Sequence, residues 1–79
     1  MRSMEFKMER QGLLQIGDKV TVTEGTLPGY FYYTIDPSLA MSGNYTLRER
    51  LKTNEGTVVD IQEKASGYYV IVDFIEEKN

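Results

Sequence analysis

Two β-rich runs in the last third of the chain, Thr57-Val58-Val59-Asp60-Ile61-Gln62 and Tyr68-Tyr69-Val70-Ile71-Val72-Asp73-Phe74, constrain the fold more than any other feature of the sequence. Both are short and dominated by β-branched and aromatic residues. Only the polar stretch 63–67 separates them, so together they read as a hairpin. Opposing Ile61 to Val70 sets Val59 against Val72 and Thr57 against Phe74 on one face, and brings Asp60 and Asp73 together on the other. A slip of one residue would instead set Val70 against Asp60 and Val72 against Val58. The first register is therefore expected, with a four-residue loop at 64–67.

Two further runs share the strand signature. Lys19-Val20-Thr21-Val22-Thr23 alternates polar and apolar residues strictly after the turn signal Gly17-Asp18, which points Val20 and Val22 inward. Tyr30-Phe31-Tyr32-Tyr33-Thr34-Ile35 is a charge-free aromatic run opened by the turn pair Pro28-Gly29. Helical signals are slight. Met1, Met4 and Met8 fall at helical spacing, so residues 1–12 are expected to be flexible or a short helix. Thr46 with Glu49 makes a capping box, and Leu47 with Leu51 an i, i+4 pair, which suggests a turn or two of helix. Residues 76–79 read as a solvated tail after a last strand residue, Ile75.

Four strands and one helical turn in 79 residues describe a single all-β domain, a small barrel or strongly twisted sheet. Its core would be Val20, Val22, Val59, Ile61, Val70, Val72 and Phe74. A chain of this size buries only about 60% of its unfolded surface, so that core is small.

The segments Gly17-Asp18-Lys19-Val20-Thr21-Val22 with Gly25, then Gly56-Thr57-Val58-Val59-Asp60-Ile61, then Tyr69-Val70-Ile71-Val72 carry a resemblance. They resemble the small SH3-like barrels with a KOW-type signature, over Ile16 to Gly25 and Glu55 to Phe74. The resemblance implies an SH3-like barrel of about five strands over residues 13–75. In that family such barrels serve ribosomal proteins, transcription elongation factors and enzyme subunits as binding or docking modules. Between the matched segments, residues 26–54 then stand as a long insertion that carries the aromatic run and the helical turn.

The chain contains no Cys and no His, which removes disulfides, thiolate or imidazole metal sites, Cys nucleophiles and His general bases. Asp60 and Asp73 alone fall far short of the six to eight oxygens of a Ca²⁺ site and read as a solvated face. The expectation is a non-enzymatic protein with no cofactor and no metal. Nine basic against twelve acidic residues give a net charge of −3, the wrong sign for a surface that tracks phosphates throughout. No run of apolar residues reaches membrane-spanning length and the first residues alternate charge with apolar side chains, so a cytoplasmic location is expected.

Two features are left to carry function. Tyr30, Phe31, Tyr32 and Tyr33 put aromatics on both faces of one strand, with Tyr45 following. Either Phe31 and Tyr33 pack inward while the loop 36–45 shields Tyr30 and Tyr32, or Tyr30, Tyr32 and Tyr45 form an exposed platform. Arg48, Arg50 and Lys52 form the basic cluster, diluted by Glu49 and Glu55. The favoured expectation is a docking module for a protein partner, acting through the aromatic insertion. The alternatives are single-stranded nucleic-acid binding through Arg48, Arg50, Lys52 and the tyrosines, and self-association of a structural piece.

Overall fold

The computed structural model describes residues 2–75. Among these residues are six strands, β1 (Arg2–Met8), β2 (Lys19–Leu27), β3 (Tyr30–Ile35), β4 (Ala40–Ser42), β5 (Glu55–Lys64) and β6 (Gly67–Phe74), and one 3₁₀ turn at Leu47–Glu49. They close into a barrel in the order β1-β4-β3-β2-β5-β6, with every neighbouring pair antiparallel. The protein is thus a small all-β barrel, compatible with an SH3-like one, with six strands where about five are expected. The expected tail 76–79 lies outside the described residues.

The first difference from expectation is β1. Residues 2–8 form neither a helix nor a loose segment, because their effective period is two: Met4, Phe6 and Met8 are buried and Ser3, Glu5 and Lys7 are exposed. Phe6, which a spacing of methionines passes over, is completely buried and packs its ring 6.2 Å from that of Phe74. Each such side chain contributes roughly 1.5–3 kcal/mol of transfer free energy, far more than a frayed helix of this length could recover. Pairing on both edges fixes the strand, from Arg2↔Phe74 to Lys7↔Tyr69 against β6 and from Phe6↔Ser42 to Met8↔Ala40 against β4.

The β5–β6 hairpin uses both registers that the sequence allows. Ile61 opposes Val70, as expected, but a bulge between Val58 and Asp60 shifts the ladder so that Val58, not Val59, opposes Val72. Val58 is buried and Val59 is 42% exposed, which corrects the expected core. The bulge resolves a conflict in the pattern: an uninterrupted ladder would turn either Val58 or Ile61 away from the interior. Lys64 pairs with Gly67, so the connection is the two-residue turn Ala65-Ser66 rather than a four-residue loop. Asp60 and Asp73 share a face but sit two rungs apart, opposite Ile71 and Thr57. Asp73 accepts a hydrogen bond from the Ser3 hydroxyl, while Asp60 accepts from its neighbours Ile61 N–H (2.9 Å) and the Gln62 amide (3.2 Å).

Residues 26–54 are not an appendage. They supply β3 and β4, without which β1 and β2 could not be joined, and four core side chains: Tyr33, Ile35, Ala40 and Leu51. Pro28-Gly29 connects β2 to β3 with Gly29 at φ +80°, and Leu27 opposes Tyr30 across it. The two ends of the barrel are closed by non-strand segments. At one end residues 9–18 place Leu14 in the core and exchange backbone hydrogen bonds with Val58, Gly17 N–H to Val58 O (2.7 Å) and Val58 N–H to Asp18 O (2.9 Å). At the other end residues 46–54 form a strap that inserts Leu51.

Candidate functional site

Strand alternation splits the aromatic run between two environments. Tyr33 and Ile35 point into the barrel, so Tyr30, Tyr32 and Thr34 point outward. On the same outer face β2 contributes Thr23, Gly25 and Leu27, paired in turn with Thr34, Tyr32 and Tyr30, and β4 contributes Met41 opposite Thr34. Leu27, Tyr30 and Met41 are 41%, 48% and 45% exposed, and Tyr32 is half-buried. The ring of Tyr32 lies over Gly25, where a Cβ would fall 2.1 Å from the ring carbon Cζ. Glycine therefore lets the ring rest on backbone. No charged side chain interrupts this face. Its far edge is marked by Lys7 opposite Met41 and by Asp36, which accepts from the Thr23 hydroxyl at 2.8–2.9 Å.

A second arrangement is built at the barrel mouth beneath the strap. Phe31 and Tyr45 bridge through Phe31 N–H to Tyr45 O (2.8 Å) and Tyr45 N–H to Phe31 O (2.7 Å), and the Tyr45 ring packs 6.0 Å from that of Tyr33. Each half of this pair carries a guanidinium, Arg2 over Tyr45 at 5.4 Å and Arg50 over Phe31 at 4.7 Å. Arg50 also forks onto Glu24, Nε to Oε2 at 3.0 Å and Nη2 to Oε1 at 2.8 Å. The Tyr33 hydroxyl donates to Glu24 Oε2 (2.9 Å) and accepts the Leu51 N–H (2.7 Å), tying the strap to the barrel wall. Arg2 adds a bond to the Glu49 carbonyl, and Glu49 accepts from the Thr46 N–H (3.2 Å), as in a capping box, and from the Thr46 hydroxyl (3.0 Å).

These contacts displace the titrations of the groups involved. Hydrogen bonds from Arg50 hold the Glu24 carboxyl below its ordinary value, opposed by burial and reinforced by the Tyr33 hydroxyl. Burial, followed by the acceptor and charge effects of Glu24, raises Tyr33, and burial also raises Tyr45. The Thr46 N–H bond lowers Glu49.

The six residues singled out in the sequence are therefore divided. Tyr30 and Tyr32 lie on the outer face, whereas Tyr45 belongs to the mouth, next to Tyr33 and under Arg2. Arg48, Arg50 and Lys52 do come together, with Leu47 and Leu51, around an open hollow of about 510 Å³. The turn or two of helix expected here is one 3₁₀ turn, Leu47–Glu49, that buries no residue, so no helical face aligns Arg48 with Lys52. Leu47 is 70% exposed while Leu51 is buried, so the expected pair is split. Sequence reading passed over Leu27, which alternation from Gly25 places on the outer face, and took Met41 for an anchor of a loop, whereas pairing with Thr34 places it on that face. It also passed over Glu24 and Arg2, whose partnership with the strap leaves no local signal, and it read Phe31 as packing inward without the guanidinium that stacks on it.

Among the described residues no group of three or more Asp or Glu side chains comes together to hold a metal ion, and no helix is long and apolar enough to cross a membrane. Comparison of the chain with models of protein families, with curated proteins and with solved structures finds no match.

Proposed function

We propose that the protein is a non-enzymatic docking module that binds another protein through the outer face of β2, β3 and β4. The observation that carries this reading is the charge-free stripe of Leu27, Tyr30, Tyr32 and Met41 on a molecule of net charge −3. Tyrosines offer large contact area with few rotatable bonds, which enriches them at interfaces. The occupant fits the stripe in chemistry and size: an uncharged, apolar segment of a partner chain. Four side chains, none more than half exposed, fall well short of the ~800 Å² per partner of a stable dimer, which argues for a short segment over a second copy. The KOW-type resemblance of Gly17–Val22 and Gly56–Ile61 agrees with a docking role.

The test is a double variant, Tyr30→Ser with Tyr32→Ser, whose fold is checked by far-ultraviolet circular dichroism and melting. Partners cross-linked to the wild-type protein in extract from its own source should be lost from the variant and retained by Lys64→Ala, which lies on the β5–β6 hairpin. Equal capture by a folded double variant would refute the assignment. A second reading, single-stranded nucleic acid, draws on the hollow that gathers Arg48, Arg50 and Lys52 beside the mouth. It requires binding to mixed-sequence oligonucleotides at low salt that weakens steeply as salt rises. Self-association, a third, requires a sedimentation coefficient that grows with concentration.

A further inference from the structure

We propose that the mouth of the barrel is a peptide-binding groove which the protein's own residues 46–54 occupy, and that its partner in trans is an extended segment presenting an arginine followed directly by an aliphatic residue. This inference is independent of the outer-face reading. The groove is lined by the Glu24 carboxylate, the Phe31 ring, the Tyr33 hydroxyl and the Val22 amide, all from β2 and β3. Each of these offers something that an extended peptide can engage.

The present occupant engages them in that manner. Arg50 fills the Glu24 and Phe31 subsite, forking onto the carboxylate at 2.8 and 3.0 Å while lying 4.7 Å over the ring. Leu51 puts the one buried side chain of residues 46–54 into the core, and its N–H reaches Tyr33 at 2.7 Å. The Asn54 carbonyl accepts the Val22 N–H at 2.8 Å. The backbone contacts are indifferent to sequence and the two side-chain contacts specify arginine then leucine, the usual division between affinity and selectivity in strand-like peptide recognition.

Elsewhere the strap is tied by exposed polar contacts, among them the Arg2 bond to the Glu49 carbonyl, and it buries no other side chain. Its 3₁₀ turn buries nothing, Leu47 is 70% exposed, and a hollow of about 210 Å³ remains where Val22, Glu24 and Tyr33 face Leu51. That hollow opens to solvent beside Leu51, so the strap does not seal this end. Leu14 at the opposite end is anchored instead by a reciprocal pair of backbone bonds between residues 17–18 and Val58. An occupant supplied in cis competes at high effective concentration, so a trans ligand binds the intact protein weakly and the strap acts as an autoinhibitory segment.

The test uses a fluorescently labelled peptide of sequence 46–54 as the probe. It should bind the full-length variant Arg50→Ser/Leu51→Ser at least about tenfold more tightly than the wild type, because the variant's strap no longer competes. The same peptide carrying both serines should not bind. A folded variant that shows no preference for the unsubstituted peptide would overturn the proposal. Amide hydrogen exchange of the wild-type protein gives a second measure that needs no variant. The Leu51 amide should exchange at least about tenfold faster than the β6 amides Val70 and Val72, which marks opening of the strap with the barrel intact. Exchange of Leu51 only at the rate of global unfolding would make the strap an inseparable part of the fold, and would equally overturn it.

Discussion

Replacing Tyr33 by Phe deletes one oxygen at the junction of barrel and strap. The ring is 2% exposed and keeps its packing as phenylalanine, so the loss is confined to the hydroxyl. Two bonds disappear: the one accepted from the Leu51 N–H at 2.7 Å and the one donated to Glu24 at 2.9 Å. A buried donor stripped of its acceptor costs about 1–3 kcal/mol. The bond to Glu24 matters less, because that carboxylate is partly exposed and Arg50 still holds both its oxygens, and losing it adds under about 1 kcal/mol. Together these give about 2 kcal/mol, or a fall in Tm of about 8–16 °C for a domain of this length. Urea unfolding at pH 7, followed by circular dichroism, should show a lower midpoint with an unchanged slope. A loss below about 0.5 kcal/mol would refute the argument, because it would mean that Leu51 does not depend on this hydroxyl. The alkaline limb supplies a further check. Burial raises Tyr33 above its ordinary value of 10.0, so its neutral form is favoured in the folded state. Its contribution is present below pH 10.0 and is lost as pH rises through the higher folded-state value, and the phenylalanine variant should lose less stability over that window.

Glu24→Gln tests the acid side. The carboxyl is held below its ordinary value of 4.5, so its stabilising charge is present above that pH and is lost as pH falls through the folded-state value. The stability gap between wild type and variant should therefore shrink from pH 7 toward pH 3 in urea titrations, and a constant gap would contradict the pairing with Arg50. Gly56→Ala places a Cβ 2.6 Å from Val72 Cγ1 and 2.9 Å from both the Asp73 carbonyl and Phe74 Cδ1, of which the carbonyl cannot retreat. It should cost at least about 1–3 kcal/mol in unfolding experiments. Gly25→Ala meets only the far end of the Tyr32 ring, which can swing out. It should cost less than about 1 kcal/mol while abolishing the nuclear Overhauser contact between residue 25 and that ring. A persistent contact would show that the ring does not rest on the backbone.

Local pattern revealed the strands whose alternation is unambiguous. Val20 and Val22 point inward, Pro28-Gly29 turns the chain, and Ile61 opposes Val70, all as read. The failures have a common physical cause: they concern residues whose placement is decided by distant partners. Residues 2–8 fit two periods, and the choice between them is made by β6 and β4, not by the segment itself. The bulge at Val59 arises because two halves of one strand need different registers, which neither half announces. Leu51 looked like half of a helical pair and is a plug, because the cavity it fills belongs to β2 and β3. The candidate surface was legible to the extent that alternation is. Tyr30 and Tyr32 share a face, but Tyr45 follows an irregular segment and only the bridge to Phe31 assigns it to the mouth.

Closure between β1 and β6 also governs the order in which the chain can fold. The seam runs from Arg2↔Phe74 to Lys7↔Tyr69, so it joins residues near the two limits of the described chain, whereas β1 meets β4 over only Phe6, Lys7 and Met8. Of the six strands, β1 is synthesised first and its main partner last. Until Gly67 to Phe74 leave the ribosome, the apolar side of Met4 and Phe6 has no lid and one strand edge stays open, a template for pairing with other chains. Barrels dominated by such distant pairings fold in milliseconds to seconds. The nascent chain therefore needs protection most at β1, the segment with the least conspicuous strand signature in the sequence.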